Sequence, residues 1–253
     1  MVDQVNELEG KVAIVSGSAR NIGRSTAIEL AKAGASLVIN ARQSKDLCDE
    51  VVAEIEGAGG KAIACLADIS DADAVRTMVA ATIEAFGGVD ILVNNAAVRS
   101  NIPFLDIDQL EWARIAATCL QGTLNLSRAC IPLMIERGGG AIVSLAGLSS
   151  YKGSAGRSHV MATKDGLMGL TRGLAIEFGE NNIRANSAVV GRFDTERSAN
   201  APQSGYTTEP DIPLGRMGVS QDMADLVRFL VGPGASYISG QTIHVNGGAY
   251  CPH

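Results

Sequence analysis

The sequence predicts an α/β fold: a doubly wound parallel sheet of about seven strands with helices on both faces. Three observations carry this. Short apolar runs alternate with amphipathic stretches along the whole chain, the runs are continuously apolar as strands buried on both faces require, and most connections are short. Right-handed crossovers turn that order into an open twisted sheet, whereas a (β/α)8 barrel would need an eighth unit.

Val12–Ser16 is the first apolar run and ends at Gly17. A helix follows over about Ile22–Ala33, with Ile22, Ala27, Leu30 and Ala31 on one face and Gly34 as its stop. The unit then repeats as strand Ser36–Asn40, helix Asp46–Glu56, strand Ala62–Ala67, helix Asp73–Phe86 and strand Ile91–Asn94. Helical stretches around Gln109–Arg137 and His159–Phe178 flank the strand Ala141–Leu145. Ile183–Asn186 is a sixth strand, and a helix over Gln221–Leu230 precedes the last strand, Thr242–Val245. The irregular stretch 192–215 holds Pro202, Pro210 and Pro213 among small polar residues and reads as a mobile lid over a substrate. No linker or repeat divides the 253 residues, so a single domain over 1–253 is expected.

Composition narrows the function. Hydrophobic residues make up 46% and aromatic ones 4%, with 29 Gly, which suits a core of small aliphatic side chains rather than a disordered or fibrous chain. A net charge of −6 without a basic run argues against nucleic acid as a partner. Cys48, Cys65, Cys119, Cys130 and Cys251 form no C-x-x-C pair, and their odd number points to a reducing compartment. His159, His244 and His253 are too scattered for a zinc site, so no metal is expected. Asp3, Glu7 and Glu9 stand where a secretory signal would be basic, and no apolar run reaches spanning length. A cytoplasmic protein with no membrane partner is expected.

Gly17-Ser18-Ala19-Arg20-Asn21-Ile22-Gly23 follows the first strand and opens into a helix, placing backbone N–H groups and the positive helix end where a pyrophosphate could sit. Gly17 permits the tight turn and Gly23 close packing of helix on sheet. Asn21 stands where glycine is commoner and is the side chain that best tolerates left-handed dihedrals. After the second strand comes Asn40-Ala41-Arg42, with no acid to receive a ribose 2′-hydroxyl. Arg42, helped by Arg20, suits a 2′-phosphate, so NADP(H) is expected ahead of NAD(H). Asp68-Ile69 and Asn94-Asn95-Ala96-Ala97 fall at the carboxyl edge of the sheet, where ligands bind in such folds.

These residues resemble the single-domain short-chain dehydrogenase/reductase family, which has a Rossmann fold, over nearly the whole chain. Ser16-Gly17-x-x-x-Asn21-Ile22-Gly23 is similar to its glycine motif, Asp68 to its adenine-contacting acid and Asn94-Asn95-Ala96-Ala97 to its N-N-A-G. Lys164-Asp165-Gly166 with Leu170-Thr171, Ile183-Arg184-Ala185-Asn186, Gly191 with Thr195, Gly215-Arg216, and Ser239-Gly240-Gln241 with Asn246-Gly247-Gly248 extend the match. The resemblance implies a nicotinamide dinucleotide held by Gly17, Arg20, Asn21, Ile22, Gly23, Ala41, Arg42, Asp68, Ile69, Asn95, Ala96, Lys164, Gly191 and Thr195.

It also implies a catalytic Asn, Ser and Tyr-x-x-x-Lys, with Tyr exchanging the proton and Lys holding the nicotinamide ribose. Counting without gaps from Asn95 places Cys119 at the Asn position and Gly147 at the Ser position. Lys164 is present, but Val160 stands where the Tyr belongs, and Val190-Gly191 replaces Pro-Gly. Ser149, Ser150 and Tyr151 lie nearby in sequence, yet their spacing does not rebuild the Tyr–Lys pair. His159, a residue type that titrates near neutrality, is the first candidate for the proton, and Tyr206 in the lid the second. Cys119 reads as a buried structural thiol.

The expected function is NADP(H)-dependent hydride transfer to or from a small carbonyl or alcohol, C=N or C=C substrate, with a non-standard proton donor. A catalytically silent dinucleotide-binding member and a lyase or isomerase on the same scaffold are the alternatives. Gly166, Gly169 and Gly173 recur on one helix face, and the resemblance implies that this helix pairs across a two-fold axis in a homodimer or homotetramer.

Overall fold

A computed structural model describes residues 6–195 and 212–251. Seven strands form one sheet: β1 Val12–Val15, β2 Ser36–Ala41, β3 Lys61–Leu66, β4 Ile91–Asn94, β5 Gly140–Gly147, β6 Ile183–Val190 and β7 Thr242–Val245. Their order is β3-β2-β1-β4-β5-β6-β7, and every neighbouring pair is parallel. The strand order reverses between β1 and β4, which makes their carboxyl ends the crevice of the fold.

The helices are α1 Asn21–Lys32, α2 Lys45–Gly57, α3 Ala72–Phe86, α4 Gln109–Ala116, α5 Gly122–Glu136, α6 Ser149–Lys152, α7 Ser158–Glu177 and α8 Ser220–Val231. Alternate strand residues feed opposite faces, as the pleat dictates. Ala13, Val15, Leu37 and Ile39 pack with Leu30, Val51 and Met223 of α1, α2 and α8. Ile14, Val38 and Leu92 pack with Met78, Leu126 and Ala175 of α3, α5 and α7. Burial on both sides explains why the strands read as unbroken apolar runs.

Long-range polar contacts fix the last helix. Arg228 of α8 reaches Glu7 Oε1 at 2.7 Å and Glu29 Oε1 at 2.8 Å, while Arg184 of β6 donates to the carbonyls of Leu230, Val231 and Gly232 at the end of α8. That places a cation where the helix macrodipole is negative.

Three features differ from the expected elements. The stretch 109–137 is broken by a π-turn, Ala117–Gln121, between α4 and α5. β5 and β6 run on to Gly147 and Val190, because Leu145, Ala146 and Gly147 keep pairing with Ala188, Val189 and Val190. The short α6 was also not expected. Of the stretch 192–215, Pro202, Tyr206 and Pro210 lie outside the described residues. Among the described residues no helix is long and apolar enough to cross a membrane, and no group of His, Cys, Asp and Glu could hold a metal ion.

Candidate active site

The glycine turn between β1 and α1 is held by side chains of the neighbouring strands. Gly17 has φ +64°, and a Cβ on it would stand 3.0 Å from Ala96 Cα. Asn21 has φ +52°, a conformation that disfavours most side chains other than Gly, Asn and Asp. Asn95 Nδ2 donates to the carbonyls of Ser16 and Gly17 at 2.8 and 2.9 Å, and the Asn95 and Ala96 N–H groups donate to Ser16 Oγ at 3.0 and 3.1 Å. The buried Asn40 side chain receives the Gly17 N–H and donates to the carbonyls of Cys65 and Ala67, which ties three strand ends together.

α1 begins with no described side chain capping it and no acid in its first turn. The positive dipole end of this helix suits an anion, and the nearby glycines keep Cβ atoms out of the approach. Arg20, Asn21, Asp194 and Thr195 line one cleft at this end, and Arg99 donates to Thr195 Oγ1 at 3.3 Å. Gly191 lies tight against β7: its N–H donates to Val245 O at 2.9 Å, and a Cβ would meet Asn246 Cα at 2.6 Å.

Beyond β2, Ala41 is buried and Arg42 is largely exposed, 3.9 Å from the Asp68 carboxylate. Arg20 Nη2 donates to Ser44 Oγ at 3.5 Å, so two guanidinium groups and a hydroxyl border this corner. The Ser70 hydroxyl, ahead of the Arg42 charge, holds the Asp68 carboxyl below its usual range. Ile69 is buried against Gly122 of α5, and Asn125 donates to the carbonyls of Ile69 and Ser70, which pins the loop after β3.

At the other end of the crevice, Lys164 Nζ donates to Leu145 O at 2.6 Å. Burial pushes the Lys164 amine down, and the Cys119 thiol nearby acts in the opposite, weaker sense. Val160 stands one turn earlier on α7, and its carbonyl accepts from Thr163 Oγ1 at 2.8 Å. Cys119 lies buried in the π-turn.

Gly147 has more company than spacing indicates. α6 folds back, so that Ser149 Oγ lies 3.7 Å from where a Gly147 Cβ would be. The missing signal was this one-turn helix, whose four residues are too few to show a period. Tyr151 turns elsewhere: its hydroxyl contacts Met168 Sδ at 3.3 Å, and its ring packs 4.4 Å from His244 and 5.5 Å from Tyr250.

His159 does not face the open edge. It is 0% exposed between α7 and α4, with Nε2 3.8 Å from Glu111 Oε1 and neither ring nitrogen hydrogen-bonded among the described residues. Its position on the helix, away from the Val160 face, turns it towards the neighbouring helix instead of the substrate space. Glu111 accepts from Arg114 Nε and Nη2 at 2.7 and 2.8 Å and from Ser100 Oγ. The Arg114 guanidinium and then the Ser100 hydroxyl hold the Glu111 carboxyl down at about 2. Tyr206, the second proton candidate, lies outside the described residues.

Residues 17–250 match the family model described as enoyl-(acyl carrier protein) reductase. A 3-oxoacyl-(acyl-carrier-protein) reductase of Staphylococcus aureus is 36% identical over 241 residues, covering 95% of this chain and 98% of its own. Among solved structures, a short-chain type dehydrogenase/reductase from Mycobacterium marinum is 33% identical with a TM-score of 0.88. A dehydrogenase/reductase from Sinorhizobium meliloti 1021 is 32% identical with a TM-score of 0.90, and each of these two alignments covers 98% of both chains.

Proposed function

The chain belongs to the short-chain dehydrogenase/reductase family, and we propose that it is an NADP(H)-dependent oxidoreductase acting on a small carbonyl or alcohol substrate without the family's tyrosine. The observation that carries the reading is the intact dinucleotide end. The turn at Gly17, Asn21 and Gly23 opens a helix with no acid in its first turn, and Arg42, not an acid, follows β2. The bound cofactor would supply or accept the hydride. Gly17, Asn21, Ile22, Gly23 and Thr195 would border its pyrophosphate, Asp68 and Ile69 its adenine, Arg20 and Arg42 its 2′-phosphate, and Asn95, Ala96, Gly191 and Lys164 its nicotinamide half.

The name of the S. aureus relative directs attention to ketones β to a thioester carbonyl, so 3-oxoacyl thioesters belong in the substrate panel beside simple ketones, aldehydes, imines and enones. Steady-state NADPH oxidation across that panel tests the proposal. Turnover of one class supports it, and saturable NADPH binding with no turnover anywhere favours a silent dinucleotide-binding protein. That second reading draws on Cys119, Gly147 and Val160, three positions without the family's side chains.

The assembly reading is a homodimer or homotetramer. Ala113, Ala116, Ala117, Leu120, Leu124 and Leu170 line an apolar groove between α4–α5 and α7, and Gly173, on the glycine face of α7, has no described atom beyond its chain neighbours and own helix backbone within 4 Å of its Cβ position. A second copy of the chain would offer the same apolar groove and complete the packing.

A further inference from the structure

We propose that Lys164 Nζ is itself the acid and base of the reaction, exchanging a proton directly with the substrate oxygen across the space that Val160 and Gly147 leave open. This rests on the oxidoreductase reading above. The geometry is that of a nitrogen fixed at the carboxyl edge of the sheet. Leu145 O holds Nζ at 2.6 Å, two residues before Gly147 on the same strand. Val160 and Lys164 are one turn apart and share a helix face, and neither Val160 nor Gly147 carries a donor that could stand between the amine and a ligand. An ammonium has three N–H groups: the contact with Leu145 engages one, the nicotinamide half of the cofactor would take a second, and the third is left for the substrate oxygen.

The neighbouring elements offer no better candidate. β5 has no titratable side chain, and Arg184 of β6 is committed to the end of α8. Glu111 and Arg114 of α4 pair with each other, and His159 of α7 is sealed beside Glu111. In α6, Ser149 Oγ lies beside Gly147 but is an alcohol that does not titrate near neutral pH, the Tyr151 hydroxyl contacts Met168, and Lys152 is exposed. No carboxylate among the described residues forms an ion pair with Lys164, and Cys119 of the π-turn is the group whose charge acts on it. Burial without a counter-ion pushes the amine down from its usual range, in the direction that improves a general acid near neutral pH.

In reduction, the bound cofactor would supply the hydride to the carbonyl carbon, and the C=O π pair would move onto oxygen. That oxygen takes a proton from Nζ, leaving a neutral amine that bulk water reprotonates. Alcohol oxidation is the reverse: the neutral amine of Lys164 accepts the hydroxyl proton as the carbon gives up a hydride, which the oxidised cofactor would take.

The test combines a titration with a substitution series. In protein labelled with ¹⁵N at lysine Nζ, with the Lys164 signal assigned by its loss in Lys164→Arg, NMR should show Lys164 titrating below the exposed lysines. A midpoint among theirs would overturn the proposal. Lys164→Arg keeps the positive charge but does not release a proton at working pH. It should therefore bind NADPH within a few-fold of wild type by fluorescence titration while kcat falls about 10²–10⁴-fold. Lys164→Ala should regain turnover with added methylamine, with a pH limb that follows the added amine. Arginine that sustains turnover with the wild-type pH profile would reduce Lys164 to a cofactor-positioning residue. Wild-type enzyme that binds NADPH but turns over no carbonyl would instead overturn the oxidoreductase reading, and this role with it.

Discussion

Gly23 approaches Gly17 so closely that a Cβ on Gly23 would stand 2.3 Å from the Gly17 carbonyl oxygen and 2.5 Å from Asn95 Nδ2. Both neighbours are fixed, the first as backbone and the second by its two hydrogen bonds, so added volume has nowhere to go. Gly23→Ala should destabilise the fold by about 1–3 kcal/mol, typical of overpacking, and weaken dinucleotide binding as well. Thermal unfolding with and without NADPH checks both effects.

Arg42 should set cofactor choice. Removing a charge-assisted contact with a 2′-phosphate loses about 1.5–3 kcal/mol, or roughly 10–150-fold in affinity. Calorimetry on Arg42→Ala should show that loss for NADPH and almost no change for NADH, with wild type preferring NADPH. Equal affinities of wild type for the two cofactors would remove the argument.

Ser149 should contribute a hydroxyl beside Gly147. A lost hydrogen bond of about 1–1.5 kcal/mol predicts roughly a tenfold fall in kcat/KM for Ser149→Ala, with NADPH affinity unchanged. Restoring the family's groups is the complementary experiment. A Gly147→Ser side chain would begin 3.7 Å from Ser149 Oγ, an ordinary contact, so Gly147→Ser with Val160→Tyr should fold. Carbonyl reduction should rise in the double variant, and its pH limb should move to that of the new phenol.

The Glu111 carboxyl, held at about 2 against an ordinary value of 4.5, links stability to acid. Its contacts with Arg114 and Ser100 stabilise the fold fully above pH 4.5, and that contribution is lost as pH falls towards about 2. Urea unfolding across this range should show a steeper loss for wild type than for Glu111→Gln. Sealed beside the same carboxylate, His159 should tolerate replacement by Asn without a change in the pH limb of turnover. A limb abolished by His159→Asn would return the imidazole to the proton path.

The apolar groove between α4–α5 and α7 should be covered in solution. Light scattering at micromolar concentration should give a dimeric or tetrameric mass for wild type, and Leu170→Arg, which sets a charge in the groove, should lower it. A monomeric wild type would exclude the assembly.

The sheet was legible because strands buried on both faces leave continuous runs such as Val12–Val15, and the glycine turn because Gly17, Asn21 and Gly23 each answer a backbone demand that few residues meet. The proton-transfer end was not. Spacing along a helix places His159 only to within a turn, and which neighbour it meets depends on how α4 packs against α7, a contact between segments nearly fifty residues apart. Ser149 was obscured for the opposite reason: it lies so near Gly147 in sequence that a local fold-back, invisible to periodicity, decides whether the two share a space.

The π-turn at Ala117–Gln121 acts as a phase shifter. It holds one residue more than an α-helical turn, so the side chains before and after it are offset by roughly 100° about a common axis. Ile115 is buried before the turn, and Leu126, Cys130 and Met134 after it bury against α3 and the sheet. A straight helix would bring Ile115 and Leu126, eleven residues apart, almost into line. A chain with one residue deleted here would run through as a plain helix with ten residues from one position to the other, which keeps both faces where they are: the turn absorbs an extra residue without moving either flank.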